Sequence, residues 1–250
     1  MPRFFINQEQ GDEKQIVLRG DDAHHVARSL RMAVGDTLTV CDRRGREYLC
    51  QICGFEEDRA VFTTILEMRE VTNEPPCRIR LFQALPKGDK LDTVIQKAVE
   101  CGAAEVIPFE SERCVVRVKP EAEDRKTERR QRIAAEAAKQ CGRSILPKVH
   151  STVSFSQMLT MASKDSLALF CYEGEGTEPL GRVLRDTLNG GGAPFVSVII
   201  GSEGGFSPEE AERARAIGMI PVGLGRRILR TETASSFVLA CLSLVTELEG

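Results

Sequence analysis

The 250-residue chain is 42% hydrophobic and 28% charged, with a formal net charge of −3. That is enough apolar material for one large domain or two smaller ones, and it excludes bulk disorder. No apolar run reaches the roughly 18–20 residues of a bilayer span, and the opening MPRFFINQEQ lacks the basic end and apolar core of a signal peptide, so a soluble, cytoplasmic chain is expected.

Nine cysteines, an odd number scattered through expected strands and helices, fit reduced core thiols better than a disulfide framework. Charge is uneven. Residues 113–150 carry 11 basic and 5 acidic side chains, whereas every other region is net acidic. A concentrated basic stretch in a near-neutral chain suits a localised anionic partner, although a solvated helix face explains such a run equally well.

Pro75-Pro76 breaks regular structure and divides the chain into 1–73 and 74–250. The first region reads mostly as β. Ile16-Val17-Leu18 is a short apolar run, and Thr37 to Cys41 alternates. Asp42-Arg43-Arg44-Gly45 supplies turn chemistry, and Tyr48, Cys50 and Ile52 follow at period two on one strand face. Glu56-Glu57-Asp58 is a second turn, and Ala60 to Leu66 a further strand. One helix interrupts, with Asp21 or Asp22 as its cap and Ala23, Ala27 and Leu30 on one face. Short strands and tight turns predict a small barrel.

The second region alternates β and α. Ile79 to Phe82 is a strand, and Asp89 can cap a helix whose apolar stripe is Leu91, Val94, Ile95, Ala98 and Val99, closed by Gly102. Glu105 to Phe109 is a strand. Pro120 opens a long helix to about Gly142, with Ile133, Ala134, Ala137, Ala138 and Cys141 on its apolar side and Arg125, Arg129, Arg130 and Arg132 opposite. Ser166 to Cys171 and Phe195 to Ile200 are strands, the latter apolar enough for a parallel sheet covered on both faces. Ser207-Pro208-Glu209-Glu210 carries a capping box with proline at the first helical position, and Gly218 ends that helix. Ile220 to Leu224 is the last strand, and Thr233 to Leu248 a buried final helix. The fold class is α/β with a parallel sheet.

The chemistry is expected in two glycine loops at strand ends, where α/β sheets bind ligands. They are Gly201-Ser202-Glu203-Gly204-Gly205 and Gly223 to Thr233. Neither matches GxGxxG or GxxxxGK[ST], and no GxSxG elbow exists. Each cluster alone could be an ordinary tight turn. Metal signals are weak. Cys50 and Cys53 form a lone CxxC whose thiols would point to opposite faces of a strand, His24 and His25 diverge on a helix, and His150 stands alone.

VIIGSEGGFSPEE (198–210) followed by VGLGRRILRTETA (222–234) resembles the RsmE family of ribosomal RNA uridine-N3 methyltransferases, in the SPOUT class. QALPKGDKLDTVIQKAVECGAAEVIPF (83–109), AAEAAKQCGRSILPKV (134–149) and HHVARSLRMAVGD (24–36) are similar to its other blocks, so the resemblance covers nearly the whole chain. Ser202 stands where many relatives carry proline, which leaves the glycines intact.

The resemblance implies a deep trefoil knot in the carboxyl-terminal domain and a PUA-like barrel before it. It implies S-adenosylmethionine as cofactor and a homodimer with the site near the subunit interface. Its substrate would be one uridine in the decoding region of 16S ribosomal RNA, with the assembled small subunit favoured over naked RNA. Motif match places Ile200, Gly201, Glu203, Gly204 and Gly205 on one side of the cofactor. Leu224, Gly225, Ile228, Leu229, Arg230 and Thr231 stand on the other, and Leu169 and Phe170 cover the adenine.

Methylating uracil N3 requires loss of its proton, so a base or an anion-stabilising cation is needed. Arg230 is the candidate for the anion and Glu203 or Glu232 for the proton; equally, Glu203 could simply tie loop amides and Arg230 pair with a carboxylate. Arg3, Arg28, Arg31, Arg125, Arg129, Arg130, Arg132 and Arg143 are candidate phosphate contacts. Two tyrosines and no tryptophan argue against a long base-stacking platform. The rival readings are a non-catalytic ribosome assembly factor, a nucleotide-dependent oxidoreductase, and a SPOUT enzyme acting on ribose 2′-O or guanine N1.

Overall fold

The computed structural model describes residues 1–6, 14–42, 45–57, 59–70, 73–188 and 195–248. The expected turn residues Arg43, Arg44 and Asp58 lie outside them. The chain forms two compact units, Met1–Glu74 with Ala138–Leu146, and Pro75–Ala137 with Pro147–Gly250. Residues 138–146, placed in the second region by sequence, therefore belong to the first unit.

The first unit holds β1 (Arg3–Phe5), β2 (Gln15–Arg19), β3 (Thr37–Cys41), β4 (Arg46–Glu56) and β5 (Ala60–Glu70), in the order β1-β3-β4-β5-β2. β1 and β3 run parallel and the other neighbours antiparallel. Period-two alternation sends Tyr48, Cys50 and Ile52 inward, where they meet Phe4, Leu18, Leu38, Val40 and Val61. Cys53, with the opposite parity to Cys50, is exposed.

The helix differs from its expected form. α1 (Asp21–His24) passes directly into a π-helical turn, His25–Ser29. Its N-cap is Gly20, at φ +61°, with Asp21 and Asp22 already inside the first turn. The wider turn brings Val26 inward beside Ala23, while Leu30 is exposed.

The second unit is built on an eight-stranded sheet. Its strands are β6 (Arg78–Ala84), β7 (Glu105–Glu110), β8 (Lys148–Val149), β9 (Val153–Ser154), β10 (Leu167–Cys171), β11 (Glu178–Pro179), β12 (Phe195–Ile200) and β13 (Ile220–Gly223). Seven follow the order β11-β13-β10-β12-β6-β7-β8, with β9 also on β7, and every recorded pairing is parallel. The covering helices are α2 (Lys90–Glu100), α3 (Pro120–Cys141), α4 (Phe155–Ala162), α5 (Leu180–Leu188), α6 (Pro208–Ala216) and α7 (Thr231–Ser243). α7 is continued by a π-helical turn, Leu244–Leu248. α2 buries Leu91, Val94, Ile95, Ala98 and Val99, the five residues of its apolar stripe. On α3, Ala134, Ala137 and Ala138 are buried, while Cys141 is exposed. No helix among the described residues is long and apolar enough to cross a membrane.

Candidate functional site

The two glycine loops converge at the carboxyl ends of the central strands. Phe206, buried against Phe170 with ring centroids 4.2 Å apart, pins the first loop into the core. Ser207 then caps α6 by accepting from the Glu210 amide, and Glu210 returns to the Ser207 amide. Between strand and cap the backbone folds tightly on itself, with Gly205 at φ +64° donating to the Ser202 carbonyl at 3.0 Å. A Cβ on Gly201 would come within 3.1 Å of the Gly205 backbone, so glycine there permits the turn. Gly204 lies against Arg113, whose guanidinium donates to the Gly204 carbonyl at 3.1 Å.

The second loop is tied to the first through Gln83, near the end of β6. Thr231 Oγ1 donates to the Gly201 carbonyl at 2.6 Å, and Gln83 Nε2 donates to Thr231 Oγ1 at 2.8 Å. Gln83 is fully buried and Thr231 nearly so. The side-chain oxygen of Gln83, Oε1, is buried without a hydrogen-bond partner. Glu232 Oε2, in the first turn of α7, is the second such atom among the described residues.

Lys90 opens α2 between the loops. Its Nζ lies 2.7 Å from Glu203 Oε1 and 3.8 Å from Glu232 Oε2. The Lys87 amide also donates to Glu203, at 3.1 Å. Burial works to raise the Glu203 carboxyl, but the Lys90 ammonium and the amides of Glu203 and Lys87 outweigh it and hold the group below its ordinary value. Hydrogen bonding to Glu203 holds the Lys90 ammonium above its own.

The remaining candidates separate. Ile200 is buried at the strand end, Leu224 and Leu229 are half-buried, and Gly225, Ile228 and Arg230 are exposed. Leu169 and Phe170 are fully buried at the end of β10. Arg230 provides the N-cap position of α7, which starts two residues before the expected Thr233.

Among the arginines, Arg130 pairs with Glu123 and is 8% exposed; Arg143 pairs with Glu74 and is 4% exposed. Arg3 pairs with Glu47, and Arg129 with Asp92. Buried, paired guanidiniums cannot present themselves to a phosphate, so Arg130 and Arg143 leave the candidate interface. Arg28, Arg31, Arg125 and Arg132 are exposed. Sequence reasoning overlooked Gln83 and Lys90 as site residues. Both stand in the family-like block 83–109, but nothing in that block ties them to the loops, because their partners lie more than a hundred residues away.

A parallel α/β sheet with paired glycine loops at its strand ends, joined to a separate β-rich unit, matches the family described as RNA methyltransferase domain over residues 73–243. Residues 18–62 match the RNA methyltransferase PUA domain. The chain belongs to the RsmE-type RNA methyltransferase family. It is 33% identical to ribosomal RNA small subunit methyltransferase E of Bacillus subtilis, over 99% of this chain and 98% of that one. A putative methyltransferase from Legionella pneumophila, solved with bound cofactor SAM, is 33% identical over 96% of each chain, with a TM-score of 0.84. A ribosomal RNA small subunit methyltransferase E from Neisseria gonorrhoeae, solved with S-adenosyl methionine, is 28% identical over 98% of each chain, with a TM-score of 0.85.

Proposed function

We propose that the protein uses S-adenosylmethionine to methylate N3 of one uridine in the decoding region of 16S ribosomal RNA, acting on the assembled small subunit in the cytoplasm. The observation that carries this is the Gln83–Thr231–Gly201 tie. It brings both family loops to one place beside two buried acceptor oxygens that receive no hydrogen bond from the described residues. A cradle of glycine backbone with unused acceptors fits a ligand rich in N–H and O–H donors. Ile200, Gly201, Gly204 and Gly205 would hold the cofactor on one side, and Leu224, Gly225, Ile228, Leu229 and Thr231 on the other. When bound, S-adenosylmethionine supplies an electrophilic methyl group.

The protein's own work is positioning and charge. The two loops fix the approach to the acceptor nitrogen, which lowers the entropic part of the barrier. Arg230 faces the ring anion left when N3 gives up its proton, and Glu203 or Glu232 takes that proton. Exposed Arg28, Arg31, Arg125 and Arg132 neutralise phosphates. The relatives' name supports ribosomal RNA as substrate; the uracil N3 position rests on the motif resemblance. On the same basis the second domain is threaded as a trefoil knot, the amino-terminal sheet closes as a PUA-like barrel, and two subunits pair near the site.

The test is incubation with labelled S-adenosylmethionine and unmodified small subunits, followed by nucleoside mass spectrometry. One 3-methyluridine per subunit is expected. Label on ribose or guanine would move the protein to a sister activity. Cofactor binding without label on subunits, naked RNA or other RNA would exclude the reading. Absence of cofactor binding would leave a non-catalytic assembly factor.

A further inference from the structure

We infer that Glu232 is the proton acceptor and that Lys90 is the positioning residue that sets this choice, by occupying Glu203 and leaving Glu232 open. This rests on the methyltransferase reading above, which names two carboxylates without choosing between them.

The two carboxylates are differently engaged. Glu203 receives a short hydrogen bond from the Lys90 ammonium and another from the Lys87 amide. A carboxylate so engaged is a weaker base, because each donor stabilises its charged form. Glu232 lies 3.8 Å from the same ammonium, beyond hydrogen-bond reach, and its Oε2 has no donor at all. Its side chain is 23% exposed while Oε2 itself is buried, so a local opening of the loop must precede contact with a ring nitrogen. A buried acceptor with no donor is costly unless a ligand supplies one, and an N–H with its proton aimed at Oε2 is such a ligand.

Lys90 also sets the charge of the place. The groups around it are Glu203, Glu232 and Arg230, so two cations face two carboxylates drawn from three separate segments. The proton transfer then balances. The N3–H bond breaks as the O–H bond on Glu232 forms, and the nitrogen keeps the electron pair that bonds the incoming methyl carbon, whose bond to the cofactor sulfur would break with its pair left on sulfur as a neutral thioether. Arg230 faces the ring while that pair is exposed. The Lys90 pair is a third exposed, and ion pairs of that kind contribute little to folding, so removing Lys90 leaves the fold intact and isolates the local effect.

The experiment measures single-turnover methylation of unmodified small subunits against pH. Wild-type turnover comes first; its absence on subunits, naked RNA and other RNA refutes the methyltransferase reading and the assignment with it, whereas the variants below refute the assignment alone. Given turnover, Glu232→Gln is expected to lose about a hundredfold or more in rate at unchanged cofactor affinity, and Glu203→Gln far less. Lys90→Gln removes the cation and frees the charge of Glu203. The acid limb of the rate profile should shift, and Lys90→Arg should restore it. Full turnover in Glu232→Gln, a hundredfold loss confined to Glu203→Gln, or a pH profile indifferent to Lys90→Gln would each overturn the inference.

Discussion

The two ends of the parallel sheet both carry charged side chains and treat them oppositely. At the amino ends of the strands Glu105 and Asp165 are fully engaged. Glu105 accepts from Arg78 and Arg80 and meets His150 Nε2 at 2.7 Å. Asp165 accepts from Arg80 at 2.9 Å and from Ser197 at 2.5 Å. At the carboxyl ends, Gln83 and Glu232 each keep a buried oxygen without a donor. Buried polar atoms are nearly always paired, so the first cluster reads as a fastening and the second as a binding surface. The chemistry of side chains is alike at both ends; what separates them is whether the protein has already used their hydrogen bonds.

The strongest way to break this contrast is Thr231→Val, which keeps the shape and removes the hydroxyl between Gln83 and Gly201. The Gly201 carbonyl loses its shortest donor and the Gln83 amide its closest acceptor. A stability loss of about 2–3 kcal/mol is expected, with S-adenosylmethionine affinity down about tenfold or more in calorimetry. A variant that lost stability and kept full cofactor affinity would show that the tie serves folding alone.

Glu105→Gln is the matching test at the other end. Its hydrogen bond with His150, opposed by burial and helped by Arg80, holds the Glu105 carboxyl at about 2 instead of 4.5. A carboxyl lowered by folding adds stability above its ordinary value and loses it as pH falls through the folded one. Wild-type Tm should therefore drop between about pH 5 and pH 2, and Glu105→Gln should flatten that decline. At neutral pH the variant should cost about 2 kcal/mol after solvent screening and leave turnover per folded molecule unchanged. Reduced turnover at constant fold would join the two ends functionally.

The sequence made the scaffold legible where a single element carried its own pattern. The apolar stripe of α2 repeats at helical spacing, β12 is apolar from Val196 to Ile200 apart from Ser197, and Ser207 with Glu210 announces the start of α6. It concealed what depends on geometry between elements. The π-helical turn after α1 rotates Val26 inward and Leu30 outward, and no spacing rule built on 3.6 residues foresees that. α7 begins at Thr231 because its hydroxyl is drawn into the tie to Gly201, not because a capping residue precedes it. The site was legible as two loops and two acids. The choice between the acids was not, since Lys90 reaches Glu203 across 113 positions of chain.

The smallest expected effects concern the arginines, where buried and exposed guanidiniums contrast. Arg143 donates to Glu74 from a buried position, whereas Arg28, Arg31, Arg125 and Arg132 are exposed. Each phosphate contact releases counterions, so its removal should lower the slope of log affinity against log salt by about 1. Arg28→Ala, Arg31→Ala, Arg125→Ala and Arg132→Ala should each weaken binding to small subunits severalfold at low salt and converge with wild type at high salt. Arg143→Ala should instead lower Tm and leave the salt slope where it was, because its guanidinium is spent on a carboxylate of its own chain. If Arg143→Ala changed the slope while the exposed set did not, burial would be the wrong guide to which cations meet the RNA.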